Sequence, residues 1–181
     1  MKKNIDYWEN LLKNLPRSYK KWFKEEKKYL QKTITPNAKV LEVGCGDGRS
    51  IFDILSKTKN VVGIDHNDRA VADSKNNFFK YPSIKILKAE ATQLPFNNEE
   101  FDFVICMTTF ANFADKKFKI IEEMKRVLKE LGKIIISVFS ENALEERMKI
   151  YKASGIKIKE IKNGTVIFDD IVDDNVSEQF T

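Results

Sequence analysis

Apolar residues follow two spacings along this chain, and the two spacings alternate. Short, nearly continuous apolar runs, typical of buried strands, occur at five places: "AKVLEV", "NVVGID", "SIKILKA", "FDFVICM" and "KIIISVF". Segments with helical spacing lie between most of them. Strands that alternate with helices favour right-handed crossovers and a parallel sheet that is covered on both faces. We therefore predict an α/β fold with a doubly wound, mostly parallel, Rossmann-like sheet.

Helical spacing also predicts where the helices lie. Residues 5–32 form an N-terminal helical region that Pro16 interrupts. A second helix covers "RSIFDILSKT", and Asn67 is placed to cap a third over "NDRAVADSKNNFF". Gly132 is placed at the C-terminal cap of a longer helix, "KKFKIIEEMKRVLKEL".

The C-terminal region breaks this alternation. "ENALEERMKIYKASG" predicts a helix, and "IKIKEIKNGTVIFDDIV" predicts a hairpin that turns at Asn163–Gly164, a dipeptide suited to tight turns. No terminal element is predicted for the closing "SEQFT". These letters resemble a connector more than an end, so we expect a shortened C-terminal part, or one that borrows a partner's strand. An exposed sheet edge pairs readily, which makes self-association through such an edge an expectation.

We predict a single domain over residues 1–181. Its parts are an N-terminal helical segment (1–35), a core (38–140) and a C-terminal helix and hairpin (141–181).

Composition narrows the class of protein. Hydrophobic residues make up 42% and charged residues 33% of the chain, the balance of a globular protein. The apolar runs are too short to span a bilayer, and "MKKNIDYWENLL" lacks the apolar middle of a secretion signal. Two cysteines and one histidine are too few for a disulfide framework or a zinc site. We expect a cytoplasmic protein with no metal and no membrane partner.

The net charge is mildly positive, because 32 basic residues face 27 acidic ones and give +5. The lysines look thinly spread along the chain. We interpret them as a solvated surface and expect no nucleic-acid partner.

The turn "VLEVGCGDGRS" follows the first predicted strand. Ligands of open parallel sheets bind beyond the carboxyl ends of the strands, where the strand order reverses. Glycine there adopts positive φ and lets a ligand approach the backbone. The spacing G-x-G-x-G differs from the G-x-G-x-x-G of dinucleotide sites, and the acids Glu42 and Asp47 would repel a pyrophosphate. A cationic or zwitterionic ligand suits this turn better, and a nicotinamide-dependent oxidoreductase is disfavoured.

The same turn resembles the first motif of class I S-adenosylmethionine-dependent methyltransferases. "VVGIDHND" is similar to their second motif, and "KAEATQLPFNNEEFDFVICM" to their third and fourth. "EEMKRVLKELGKIIISV" resembles the helix and strand that follow. The resemblance covers about residues 38–140, arrives in family order and implies S-adenosylmethionine as cofactor of this core.

The resemblance also implies roles for individual residues. Asp65 matches the acid that holds the cofactor ribose, and Glu90, with Ala91 beside it, matches the adenine contact. The cofactor-binding residues implied are Glu42, Gly44, Cys45, Gly46, Asp65, His66, Glu90, Ala91 and Cys106. Other roles stay open: a helix cap for Asp65, a strand-end acid holding backbone N–H groups for Glu42, packing for the two cysteines, and a surface position for His66.

The acceptor is harder to infer. "TTFANF" stands where many relatives carry histidines, and the D/N-P-P-Y/F motif of enzymes that methylate exocyclic base nitrogens is absent. Catalytic residues therefore stay unknown. We expect methyl transfer to a small-molecule acceptor. The alternatives are a non-catalytic S-adenosylmethionine-binding module and a subunit of an RNA or protein methyltransferase.

Overall fold

The computed structural model describes residues 16–153, 157–163, 165–168 and 176–177. Two compact units divide the chain, and each is described by itself. One contains residues 25–110 and 115–137, and the other contains the described parts of 1–24, 111–114 and 138–181. The single domain over 1–181 stays a prediction. The part of the predicted N-terminal helix before Pro16 lies outside the described residues.

Five parallel strands form the sheet of the larger unit, as predicted. They are β1 (Val40–Val43), β2 (Val61–Asp65), β3 (Lys85–Lys88), β4 (Phe101–Met107) and β5 (Leu128–Ser137). Their order is β3-β2-β1-β4-β5. Val40 of β1 pairs with Val61 on one side and with Phe103 on the other. The strand order therefore reverses at β1, and the glycine turn begins at its carboxyl end.

Helices α2 (Arg49–Ile54), α3 (Asp68–Asn77) and α4 (Lys117–Val127) accompany these strands, and helix α1 (Arg17–Thr33) belongs to this unit from residue 25 onward. Apolar side chains from strands and helices meet in one core, which includes Leu30, Val40, Ile54 and Ile105. The three central strands β1, β2 and β4 are buried because helices supply the apolar cover that a parallel sheet requires, whereas most residues of the outer strands β3 and β5 are exposed or half-buried. The prediction of a doubly wound Rossmann-like fold is confirmed.

The end of α4 differs from the prediction. The helix stops at Val127, and Leu128 already pairs with Phe101 as the first residue of β5. The backbone N–H groups of Glu99 and Glu100 donate to the last helical carbonyls, at 3.0 and 2.8 Å. These donors, which are distant in sequence, satisfy the last helical carbonyls and end the helix earlier than its local helical propensity predicts. Gly132 is therefore a strand residue, and the predicted C-cap is wrong.

The smaller unit contains α5 (Leu144–Ala153) and three antiparallel strands: β6 (Ile158–Lys162), β7 (Thr165–Phe168) and β8 (Val176–Ser177). The predicted hairpin is confirmed, with Asn163 at a φ of 48° in its turn; Gly164 lies outside the described residues. The expectation of no terminal element is wrong, because Ser177 pairs with Val166.

Aromatic rings pack this unit. Trp22 and Phe139 lie 4.8 Å apart between ring centroids. The Arg147 guanidinium lies 3.9 Å from the Phe139 ring centroid and donates to the Tyr151 hydroxyl. Among the described helices, none is long and apolar enough to cross a membrane.

Candidate functional site

The loop after β1 carries three glycines, and the structure shows why each position is occupied by glycine. All three have positive φ: 73° at Gly44, 53° at Gly46 and 91° at Gly48. A Cβ at Gly44 would collide with the Thr109 side chain, and one at Gly48 would collide with the Phe78 ring. A Cβ at Gly46 would meet nothing within 4 Å. The backbone at Gly46 is therefore the part of the loop that faces open space.

Asp65, at the end of β2, anchors this loop. Its Oδ2 accepts a hydrogen bond from the backbone N–H of Gly46 at 2.9 Å, and its Oδ1 accepts one from the N–H of Asn67 at 3.0 Å. The helix cap is Asn67, whose side chain accepts from the N–H groups of Arg69 and Ala70. The alternative role of Asp65 as helix cap is therefore wrong. A carboxylate accepts about four hydrogen bonds, so Asp65 keeps acceptor capacity beside the open backbone.

Glu42 lies inside the protein at 1% exposure. The Ser50 hydroxyl hydrogen bonds with it, but Oε2 has no hydrogen-bond partner among the residues that the structure describes. Burial raises the pKa of Glu42 to about 8, which Arg49 opposes and which Glu26 and Asp47 reinforce. No backbone N–H among the described residues donates to Glu42, so the alternative role as a strand-end acid that holds such groups is not supported. The side chain is a buried acid with an unused acceptor.

The carboxyl end of β4 is tied to the glycine loop. The Thr109 hydroxyl donates to the carbonyl of Gly44 at 2.9 Å. Thr108 has a φ of 73°, which is costly for a β-branched residue. The Arg49 guanidinium donates to the Thr108 hydroxyl at 3.3 Å. Strain at this position is therefore held in place by contacts from the loop and from α2.

Both cysteines have buried side chains, at 5% exposure for Cys45 and 0% for Cys106. Cys45 belongs to the apolar core and its Sγ lies against Gly63. Burial raises the pKa of both thiols well above the usual range, and the acids Glu42 and Asp65 add to the rise. The thiols therefore stay protonated and pack, and a ligand can reach at most the small exposed part of Cys45, because Cys106 has no exposed surface.

The remaining predicted residues border the ends of β2 and β3. His66 is half-exposed, with Nδ1 3.6 Å from Oδ1 of Asp65. Glu90 is exposed and Ala91 is partly buried, just beyond β3. The N–H of Ala89 donates to the carbonyl of Asp65 at 3.0 Å, so the segment that carries Glu90 starts beside Asp65. All nine predicted residues thus lie at the carboxyl edge of β1, β2, β3 and β4.

A family model described as a methyltransferase domain matches residues 41–136, which include this whole edge. The chain belongs to the class I S-adenosylmethionine-dependent methyltransferases. S-adenosylmethionine is the cofactor of this family, so the nicotinamide alternative loses its support.

Several known proteins are similar to this methyltransferase. MJ1123 of Methanocaldococcus jannaschii is 31% identical, over 84% of this chain and 77% of its own. The human eEF1A lysine and N-terminal methyltransferase is 27% identical, over 73% of this chain and 20% of its own. The ubiquinone/menaquinone biosynthesis C-methyltransferase UbiE of Vibrio parahaemolyticus is 30% identical, over 65% of this chain and 48% of its own. The crystal structure of PH0226 from Pyrococcus horikoshii has a TM-score of 0.70 at 24% identity, over 85% of this chain and 72% of its own. This similarity shows that the two proteins share a fold.

The sequence did not reveal a polar network beside the loop of this methyltransferase. Arg49 forms an ion pair with Glu26 of α1 at 2.8 Å and lies 3.5 Å from Asp53. Glu26 is buried and also accepts a hydrogen bond from the hydroxyl of Ser137 at the end of β5. One signal was present: Glu26 shares the helical face of Tyr19 and Leu30, both buried.

A second missed residue, Arg126, explains how two motifs of the methyltransferase depend on each other. Its guanidinium donates to the carbonyls of Leu94 and Phe96, at 2.9 and 2.8 Å. It also pairs with Glu123, which accepts from the N–H of Leu94. The helix motif around Arg126 therefore fixes the loop "QLPF" that leads into β4.

Proposed function

We propose that this methyltransferase binds S-adenosylmethionine along the edge described above and transfers its methyl group to a small-molecule acceptor. The observation that supports this best is the pairing of Asp65 with the open backbone of Gly46. A rigid acid beside an unobstructed glycine backbone suits a ligand with vicinal hydroxyls and a zwitterionic end.

The residues present fit the cofactor. Oε2 of Glu42 is a buried acceptor without a partner among the described residues, which suits the ammonium group of the methionine end. Gly46 leaves space where any other residue would place a Cβ. Asp65 retains acceptor capacity for the two ribose hydroxyls.

The other residues have lesser roles in this proposal. Gly44 and Cys45 contribute backbone, and Cys106, which has no exposed surface, contributes packing at the end of β4. Glu90 and Ala91 border the adenine, and exposed His66 flanks the ribose.

When bound, the cofactor supplies an activated sulfonium methyl group. The chain's own contribution is orientation: Asp65 and the glycine loop hold one end of the ligand, and the bonds of Thr109 and Arg49 fix the end of β4. Neither cysteine acts as a nucleophile in this proposal, because burial keeps both thiols protonated. We assign no catalytic base.

A small-molecule acceptor is one of two classes that the relatives suggest. UbiE is named for quinone biosynthesis, and the human relative is named for lysine and N-terminal methylation of eEF1A. The acceptor-facing segments of this fold lie outside the shared motifs.

Product formation tests the proposal. The enzyme is incubated with methyl-labelled S-adenosylmethionine and a cell extract separated by size into small molecules and macromolecules, and the label is traced by mass spectrometry. We expect label in the small-molecule fraction, and much less of it with Asp65→Ala when the cofactor is kept at a limiting concentration. Label in protein or RNA would contradict the acceptor class. Cofactor binding without any labelled product would favour a non-catalytic module.

A further inference from the structure

The net charge of the chain is concentrated on one helix. Helix α1 carries seven basic and two acidic residues, a net charge of +5. The whole chain has 32 basic and 27 acidic residues and the same net charge, so the rest of the chain holds 25 of each. The basic residues are therefore not thinly spread along the chain. This removes the reason for expecting no nucleic-acid partner.

The basic residues share one side of this helix. At about 100° per residue they fall within an arc of about 140°, and no acidic residue lies inside it. We call this arc the basic strip: Arg17, Lys20, Lys21, Lys24, Lys27, Lys28 and Lys32. All seven are exposed. Tyr19, Glu26 and Leu30 are buried and lie on the opposite side, so the strip faces solvent along a helix about 25 Å long.

Most of the positive charges of the basic strip are not neutralised by an acidic side chain of the described residues. Lys27 pairs with Asp53 at 3.4 Å and Lys28 with Glu25 at 2.7 Å. Within the described ranges, none of the other five forms an ion pair: Arg17, Lys20, Lys21, Lys24 and Lys32.

The chemistry of the strip favours one kind of partner. Lysine is depleted at protein–protein interfaces, which rely on buried aromatic and arginine anchors. A membrane-bound amphipathic helix inserts its apolar face, but the apolar face of α1 is already buried in the protein. Closely spaced phosphates remain, and lysine side chains are common contacts of nucleic-acid backbones. Every nucleotide of a nucleic-acid strand carries one phosphate, and a strip along a helix of about 25 Å is long enough to contact several of them in succession.

An aromatic side chain lies next to the strip. Tyr29 is 57% exposed and stands one turn before Lys32 on α1. Exposed aromatic rings beside a basic surface stack on unpaired bases. Duplex DNA offers no free base face, whereas loops and ends of RNA do.

We propose that the basic strip and Tyr29 dock single-stranded segments of RNA. This goes beyond the proposed function, because contacts to phosphates require neither the cofactor nor the methyl acceptor. The helix holds the RNA through its backbone, and Tyr29 stacks on one base.

Salt-dependent binding of the full chain to a labelled polyuridine RNA tests the proposal. The triple variant Lys20→Gln, Lys21→Gln, Lys24→Gln should weaken binding about 10- to 100-fold at moderate salt and reduce the slope of log affinity against log salt by about 2. The control triple is Lys75→Gln, Lys119→Gln, Lys125→Gln, which removes the same charge from exposed positions elsewhere. It should leave affinity and slope nearly unchanged.

Two further arms separate the partners. Tyr29→Leu should weaken binding to polyuridine about 5- to 150-fold and leave weak binding to duplex DNA unaltered. Polyglutamate should not compete with the RNA for the protein. Equal effects of the two triple variants, affinity for RNA that is insensitive to Tyr29, or effective competition by polyglutamate would each overturn the proposal.

Discussion

The carboxylate of Asp65 accepts the backbone N–H of Gly46 at 2.9 Å, and this bond joins two motifs that lie 19 residues apart. One end of it is a rigid acid at the tip of β2, and the other is the glycine whose backbone faces open space. The bond therefore sets the acid and the open loop at a fixed separation. Any ligand that spans both is bound by a preformed frame.

Replacing Asp65 tests this frame. Asp65→Ala should weaken S-adenosylmethionine binding about 10- to 150-fold, because hydrogen bonds to a charged partner contribute roughly 1.5–3 kcal/mol. Calorimetry with S-adenosylmethionine and, separately, with NADH measures the effect. Asp68→Ala, at an exposed position three residues on, is the matched control and should bind as the wild type does. Unchanged affinity in Asp65→Ala, or tight NADH binding, would contradict the assignment.

Arg126 should matter for stability more than its partly exposed position suggests. Arg126→Lys cannot bridge Leu94, Phe96 and Glu123 together, because lysine lacks the planar fork of donors. We expect a loss of about 1–3 kcal/mol in the free energy of unfolding, measured by urea denaturation. Lys125→Arg, on the exposed side of the same helix, should change it little. Equal stability of the two variants would show that the loop does not depend on Arg126.

The sequence predicted the elements whose cause is local. Strand β4 spans Phe101–Met107, as its continuous apolar run predicted, and Asn67 caps α3 because the cap is a short-range interaction. The end of α4 was mispredicted because its carbonyls are satisfied by Glu99 and Glu100, whose approach depends on the sheet. Helical propensity in "VLKEL" carries no information about those donors.

The candidate site divides in the same way. The motifs predicted that Gly46 and Asp65 belong to the site, but they did not predict the hydrogen bond between the two residues. The ion pair of Arg49 with Glu26 joins residues on separate helices, and no spacing rule relates them. The charge of α1 differs again: its lysines are spaced so that they share one face only when the segment is helical, and the net charge of the whole chain does not distinguish this helix from the rest.

Glu42 should make stability depend on pH between about 5 and 8. Its pKa in the folded protein is raised from 4.5 to about 8, so in this window the folded state holds a proton that the unfolded state has lost. Raising the pH therefore lowers the free energy of unfolding across the window. Glu42→Gln should flatten this decline, measured by urea denaturation at several pH values. The exposed Glu130→Gln is the control and should keep the decline of the wild type; the same decline in Glu42→Gln would assign it to another group.

The same acid should couple cofactor binding to pH. An ionised Glu42 attracts the ammonium group of S-adenosylmethionine, whereas a protonated one does not. Affinity should therefore rise as the pH approaches about 8, and binding below that pH should release a proton. Calorimetry in two buffers of different ionisation enthalpy detects the release. In Glu42→Gln both effects should vanish, and proton release that persists in this variant would exclude Glu42 as its source.

The glycine loop allows the ligand-facing position to be separated from the structural ones. Alanine at any of the three positive-φ glycines costs about 1–2 kcal/mol of backbone strain. Gly48→Ala adds a collision with Phe78 and should lose about 1–3 kcal/mol more in the free energy of unfolding. Gly46→Ala meets nothing in the protein, so it should be the more stable variant and yet bind S-adenosylmethionine about 5- to 150-fold more weakly.

Urea denaturation and calorimetry on the two variants decide this, each compared at a temperature where both are folded. The proposal requires the two properties to change in opposite order, with Gly48→Ala less stable and Gly46→Ala weaker in binding. If Gly46→Ala keeps the affinity of the wild type, the open space at that position is not where the cofactor lies. The frame formed with Asp65 would then serve only to hold the loop.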